Sequence, residues 1–212
     1  MSSLNISAAP GTDIWRKPPS SNTFNAPYKT LDRKPLNSFS SAQLTATFTP
    51  TTQYDQAGLL LIFHPPATLS TPETLSHGGE NKDKYWIKSG VEFYNAKPYV
   101  STVTAAHWAD WSITPHATTG AGERVDVTIV AQKSTDVHGT SIWMYKVGPD
   151  GERQALREIC WVFALDGQGE VGEGGVGGEG WEVEVAAYAC RPDKEVSGEL
   201  GAEFRDVKLE WV

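Results

Sequence analysis

Tyr85-Trp86-Ile87-Lys88-Ser89-Gly90-Val91-Glu92-Phe93-Tyr94 alternates with a period of two, the signature of a strand. Ile87, Ser89, Val91 and Phe93 make its apolar side, and Trp86, Lys88, Gly90, Glu92 and Tyr94 lie opposite. Residues 54–63 divide the same way. Asp55, Ala57, Leu59, Leu61 and Phe63 share one face, and Tyr54, Gln56, Gly58, Leu60 and Ile62 share the other. Outward from these two runs, similar β-type stretches follow at 43–49, 98–105, 124–131, 140–147, 155–165, 181–190 and 201–211. Pro or Gly punctuates most junctions, and no amphipathic helix of useful length intervenes. The pattern predicts an all-β antiparallel sandwich.

Composition agrees. The chain has 212 residues, eight Trp beside only two Met, and a formal charge of −8. Trp, Tyr, Val and Thr favour sheets and aromatic-lined clefts, whereas long helical cores use Leu and Met. An acidic surface argues against a nucleic-acid partner. The longest apolar run, 57–63, has a strand's length and is too short to cross a bilayer. The first residues show neither a basic start nor an apolar stretch, which predicts an unprocessed, cytoplasmic chain. In that compartment Cys160 and Cys190 are expected as free buried thiols. One domain over 1–212 is expected, with 1–37 as an extended arm laid over the core. Two long loops are expected at 64–84 and 166–180, the second rich in Gly and Glu and unsuited to phosphate.

Chemistry is sought on the polar strand faces. Lys88 and Glu92 lie four apart on one face, about 13 Å between Cα atoms, too far for a direct ion pair. Each needs a neighbour, water or a ligand, and Gln56 is a candidate companion. The segment His107-Trp108-Ala109-Asp110-Trp111-Ser112 reads as an aromatic-rich turn whose Trp side chains either rim a groove or clamp a loop. Arg157, read as sharing a strand face with Ile159 and Trp161, offers a fork for a carboxylate, from Glu92 or from a ligand. The five His lack zinc-site spacing, no Gly-x-Ser-x-Gly elbow occurs, and Glu182 with Glu184 makes a poor glycosidase pair. No metal or cofactor is implied.

Several stretches together resemble the regulation-of-enolase family, a group classed as a domain of unknown function. They are Thr12-Asp13-Ile14-Trp15-Arg16-Lys17, Tyr54-Asp55-Gln56-Ala57-Gly58-Leu59, Trp86-Ile87-Lys88-Ser89-Gly90-Val91-Glu92-Phe93, Ala109-Asp110-Trp111-Ser112 and Leu156-Arg157-Glu158-Ile159-Cys160-Trp161-Val162-Phe163. The resemblance implies a concanavalin A-like jelly roll of the lectin and glucanase type, with a concave groove. It places the family's signature residues on Trp15, Gln56, Lys88, Glu92, Trp108, Asp110, Trp111 and Arg157. It also implies an association with enolase regulation, without a mechanism.

Three functions follow as expectations. The first is binding of a small polar or carbohydrate-like ligand, stacked by Trp15, Trp108 and Trp111, bordered by Trp86 and Trp161, and oriented by Gln56, Asp110, Lys88, Glu92 and Arg157. The second is a metal-independent isomerase, lyase or cyclase acting on a small metabolite. There Glu92 would serve as acid or base, with Lys88 and Arg157 stabilising negative charge. The third is a regulatory module that docks a protein partner.

Overall fold

The computed structural model describes residues 3–66, 85–116, 122–165 and 180–212. The expected loops therefore lie, over 67–84 and 166–179, outside the described residues. The strands, in chain order, begin with β1 (Leu4–Ala8), β2 (Ile14–Lys17), β3 (Ser21–Phe24), β4 (Tyr28–Pro35), β5 (Phe39–Phe48), β6 (Gln56–His64) and β7 (Tyr85–Tyr94). They continue with β8 (Lys97–Ala105), β9 (Ala109–Pro115), β10 (Val125–Asp136), β11 (Gly139–Val147), β12 (Arg153–Ile159), β13 (Glu182–Cys190) and β14 (Leu200–Trp211).

Two six-stranded sheets result, in the orders β1-β14-β5-β10-β11-β12 and β4-β13-β6-β7-β8-β9, with β2–β3 as a separate hairpin. All strand pairs are antiparallel, so the fold is a two-sheet jelly-roll sandwich. The alternation in β6 and β7 explains the packing. Ala57, Leu59, Leu61, Phe63, Ile87 and Val91 point into the space between the sheets. There they meet Leu44, Ala46, Ile129, Ala131 and Met144 of the facing sheet. Each large aliphatic side chain so buried contributes roughly 1.5–3 kcal/mol.

The second sheet is apolar on its other face too, which is why residues 59–63 read as an unbroken hydrophobic run. Leu60, Ile62, Trp86, Val103, Ala105 and Ala186 form a second cluster there, covered by Ile14 of the β2–β3 hairpin and by Ala26. Polar ties hold the hairpin in place. Arg16 Nη1 donates to the His107 carbonyl at 3.2 Å, and the Gly11 N–H donates to the Arg191 carbonyl at 2.8 Å. Asn25 Nδ2 donates to the Gly11 carbonyl at 3.1 Å.

Four sequence expectations change. Within 1–37 the chain forms four strands: β1 joins the first sheet, β4 edges the second, and β2–β3 caps the second sheet's outer face. These strands are short or at edges and largely polar, so they lack the hydrophobic alternation that marks central strands. The segment after Trp108 is a strand, β9, and not a turn. The run at 155–165 leaves the sheet after Ile159 and closes in a 3₁₀ turn over Val162–Ala164, so Trp161 shares no strand face with Arg157. Of the two thiols, both free, Cys190 is buried but Cys160 is exposed. Among the described residues no helix is long and apolar enough to cross a membrane.

Candidate functional site

The hairpin leaves one end of the outer face uncovered, and a cavity of about 590 Å³ opens there. Strand register builds its floor. Gln56 on β6 pairs with Glu92 on β7, and Lys88 lies two alternations further along, opposite Leu60 and beyond the Gly58–Gly90 pair. The hairpin contributes Asp13, Trp15, Lys17 and Pro18. Tyr54 stands at the entrance to β6, and Ala109 and Trp111 line the β9 side.

These side chains form a connected polar floor under aromatic walls. Lys88 Nζ donates to Gln56 Oε1 at 2.7 Å and lies 3.6 Å from Asp13 Oδ1, with its side chain only 2% exposed. Gln56 Nε2 in turn donates to the Tyr54 carbonyl at 3.2 Å. The Ser101 hydroxyl donates to Glu92 Oε2 at 2.8 Å, and the Trp111 indole N–H donates to the Ser101 Oγ at 3.3 Å. Tyr94 extends the wall, its ring 5.2 Å from Trp111 and 5.9 Å from Tyr54. The result is a polar floor fixed by hydrogen bonds beneath aromatic walls.

Electrostatics single out Glu92, which is 6% exposed. Burial pushes its carboxyl above the ordinary range, while the Lys88 ammonium and the Ser101 hydroxyl pull the other way; nearby Asp13 raises it further. Tyr188 and Cys190, buried on β13 across β6 from Glu92 and pushed up by desolvation, stay neutral. A carboxyl whose folded pKa lies above its unfolded one binds more protons when folded, so stability falls as pH rises through that window. Glu92→Gln is therefore expected to raise the unfolding temperature at neutral pH. The gain should vanish below about pH 4, where both states hold the proton. Thermal unfolding of both proteins across that range checks this, and a lower unfolding temperature at pH 7 would show that the hydrogen bond and Lys88 outweigh burial.

The structure brings together Trp15, Gln56, Lys88, Glu92 and Trp111 of the residues picked from the sequence. Trp86 lies beneath the hairpin, 1% exposed, with Lys88 Nζ 5.8 Å from its ring centroid. Arg157 does not reach Glu92. Arg157 sits on β12 at the edge of the first sheet and donates to the Asp110 carbonyl at 2.9 Å and to Asp110 Oδ2 at 3.2 Å. That pair ties the edges of the two sheets together outside the cavity, because parity reveals a face but not which sheet a strand joins. Trp161 packs on Phe63 and Tyr85, with ring centroids at 5.6 and 6.3 Å, at one end of the inter-sheet core. Trp108, 43% exposed, lies in the turn before β9 and away from the cavity lining.

Sequence reasoning passed over Asp13, Tyr54 and Ser101. Asp13 sits two residues before Trp15 in a stretch already singled out, and Tyr54 shares Gln56's face. Ser101 carried a usable signal as well, since alternation along 98–105 puts it with Tyr99 and Val103 on the Lys88 side once register is known.

Against this geometry, the similarities to known proteins are informative about family and fold. A curated protein, Uncharacterized protein AN7484 of Emericella nidulans, is 31% identical over 207 residues, covering 97% of this chain and 84% of that protein. A functionally unknown protein from Saccharomyces cerevisiae superposes with a TM-score of 0.62 at 15% identity, over 99% of this chain and 88% of that one. A mutant of the GH43 protein BlXynB from Bacillus licheniformis gives a TM-score of 0.51 at 11% identity over 82% of this chain. This chain spans only 28% of that enzyme's length, so the likeness is one of fold. None of these descriptions names enolase, and the regulatory association implied by the resemblance finds no support in them. A family profile covers residues 1–211 from end to end, and on that match the chain belongs to the family described as Protein of unknown function (DUF1349).

Proposed function

We propose that the protein binds a small, hydroxyl-rich, sugar-like molecule in the cavity between the β2–β3 hairpin and the β6–β9 face. The observation that carries this reading is the chain of half-buried Asp13 with buried Lys88 and Gln56 beside Glu92–Ser101, set under Trp15, Trp111 and Tyr54. Aromatic rings offer flat apolar faces to a sugar ring. Fixed carboxylate, amide and ammonium groups select among hydroxyl arrangements. A net charge of −8 supports a small-molecule partner over a nucleic acid.

The test is titration of the wild type and of Trp111→Ala against a panel of free monosaccharides, followed by calorimetry or ligand-observed NMR. Loss of the indole is expected to weaken binding about tenfold, since an aromatic contact and the support of Ser101 both disappear. Binding that is indifferent to Trp111, or absent across the panel, overturns the proposal.

One observation favours a second reading, catalysis. A carboxyl held toward its neutral form by burial, close to a fixed ammonium, suits general acid–base work on a hydroxyl or carbonyl. In that reading Glu92 transfers the proton and Lys88 steadies developing negative charge; Arg157, engaged with Asp110, takes no part.

A further inference from the structure

The charges around the cavity do not pair off. Asp13 and Glu92 supply two carboxylates; Lys88 supplies one buried ammonium, which lies beside Asp13, and the second lining cation, Lys17, is exposed to water. Among the described residues no Lys, Arg or His nitrogen makes an ion pair with Glu92. Its direct contacts are neutral, the Ser101 hydroxyl with the Trp111 indole behind it, and the Lys88 ammonium acts on it only from beyond ion-pair distance.

The elements packed round Glu92 offer no other cation at close range. The hairpin brings Asp13 and, at its exposed end, Lys17 in water. The turn before β6 brings Tyr54, β6 brings Gln56, and β7 brings Lys88 and Tyr94. β8 brings Tyr99 and Ser101, and β13 brings Tyr188 and Cys190, both kept neutral by burial. On β9, Asp110 is taken by Arg157. A buried carboxylate without a cation is costly, and in this cavity the walls are Trp15, Trp111 and Tyr54, whose ring faces attract positive charge.

We propose that the cavity's ligand carries a protonated amine, whose N–H donates to Glu92 while its ring or hydroxylated body lies among Trp15, Trp111 and Tyr54. This deepens the ligand-binding reading and rests on it. The ligand class is then an amino sugar or a ring-bearing primary amine, and an acidic sugar is disfavoured. Lys88 remains with Gln56 and Asp13 and meets the ligand's hydroxyls.

Two matched pairs of probes separate the class from the site: glucosamine with glucose, and benzylamine with benzyl alcohol. Within each pair the amine is expected to bind about tenfold more tightly, the least that a buried charge-assisted hydrogen bond supplies. That preference should disappear in Glu92→Gln. In the wild type it should also fade as pH falls from about 7 to about 4, as Glu92 takes up its proton; this needs no variant to fold. If binding depends on Trp111 but the neutral partner of each pair binds equally or better, the amine assignment falls and the ligand site stands. If no probe binds, or binding ignores Trp111→Ala, both fall.

Discussion

Gly90→Ala is expected to destabilise the protein by at least about 3 kcal/mol, or about 6–12 °C in unfolding temperature for a chain of this size. Gly90 and Gly58 face each other directly across β6 and β7. A Cβ on Gly90 would stand 2.7 Å from the Gly58 Cα and closer still to the Ala57 carbonyl oxygen. A Cβ on Gly58 would come within 2.6 Å of the Gly90 Cα. These are backbone atoms at the centre of a six-stranded sheet, so relief requires the two strands to separate. Side-chain repacking cannot supply it. The strain would fall between Gln56–Glu92 on one side of the glycine pair and Leu60–Lys88 on the other, so the cavity floor should distort together with the fold. Urea unfolding and amide exchange across β6 and β7 give the measurement. A loss below about 1 kcal/mol with unchanged exchange would mean the strands part easily.

How much of this was legible depends on what alternation can carry. Parity placed Gln56, Lys88 and Glu92 off the apolar face because both strands are central and long enough to show the period of two. It also explains the buried run at 59–63, where both faces are covered. Parity is silent on which sheet a strand enters. Parity therefore leaves Arg157 and Asp110 available to a groove, whereas they join the outer strands of opposite sheets. Alternation extends the strand to Trp161, but the chain turns at Cys160. The four-residue strands β2 and β3 were hidden for another reason. Their order comes from docking Ile14 onto the second cluster and from Arg16 and Asn25 bonds, none of which leaves a local period. The hairpin supplies one whole wall of the cavity, so the site itself could not be assembled from strand parity alone.

The turn before β6 should prove as sensitive as the glycine pair, through charge instead of sterics. Asp55 has no exposed surface and accepts from the Thr51 N–H at 2.9 Å, the Thr52 N–H at 3.0 Å and the Thr52 hydroxyl at 3.1 Å. Arg191 Nη1 lies 3.5 Å from its Oδ2, with the Arg191 side chain 7% exposed, and Arg191 Nη2 donates to the Thr51 hydroxyl at 3.0 Å. Asp55→Ala leaves a buried guanidinium without its anion and two backbone N–H groups without acceptors. Removing one partner of such a pair costs about 3–5 kcal/mol. Asp55→Asn keeps an acceptor for the turn but not the charge, so it should fall between wild type and Asp55→Ala in chemical unfolding. The same residue governs the site. Its turn holds Tyr54 at a φ of 67°, a conformation that costs a non-glycine residue energy and persists only when its surroundings enforce it. Tyr54 is fixed through its N–H to the Phe93 carbonyl at 2.7 Å, and its own carbonyl receives the Gln56 amide. Under conditions where Asp55→Asn is still folded, ligand affinity should therefore drop although Asp55 does not line the cavity. An Asn variant that loses stability but binds like the wild type would show that Tyr54 and Gln56 are positioned independently of this turn.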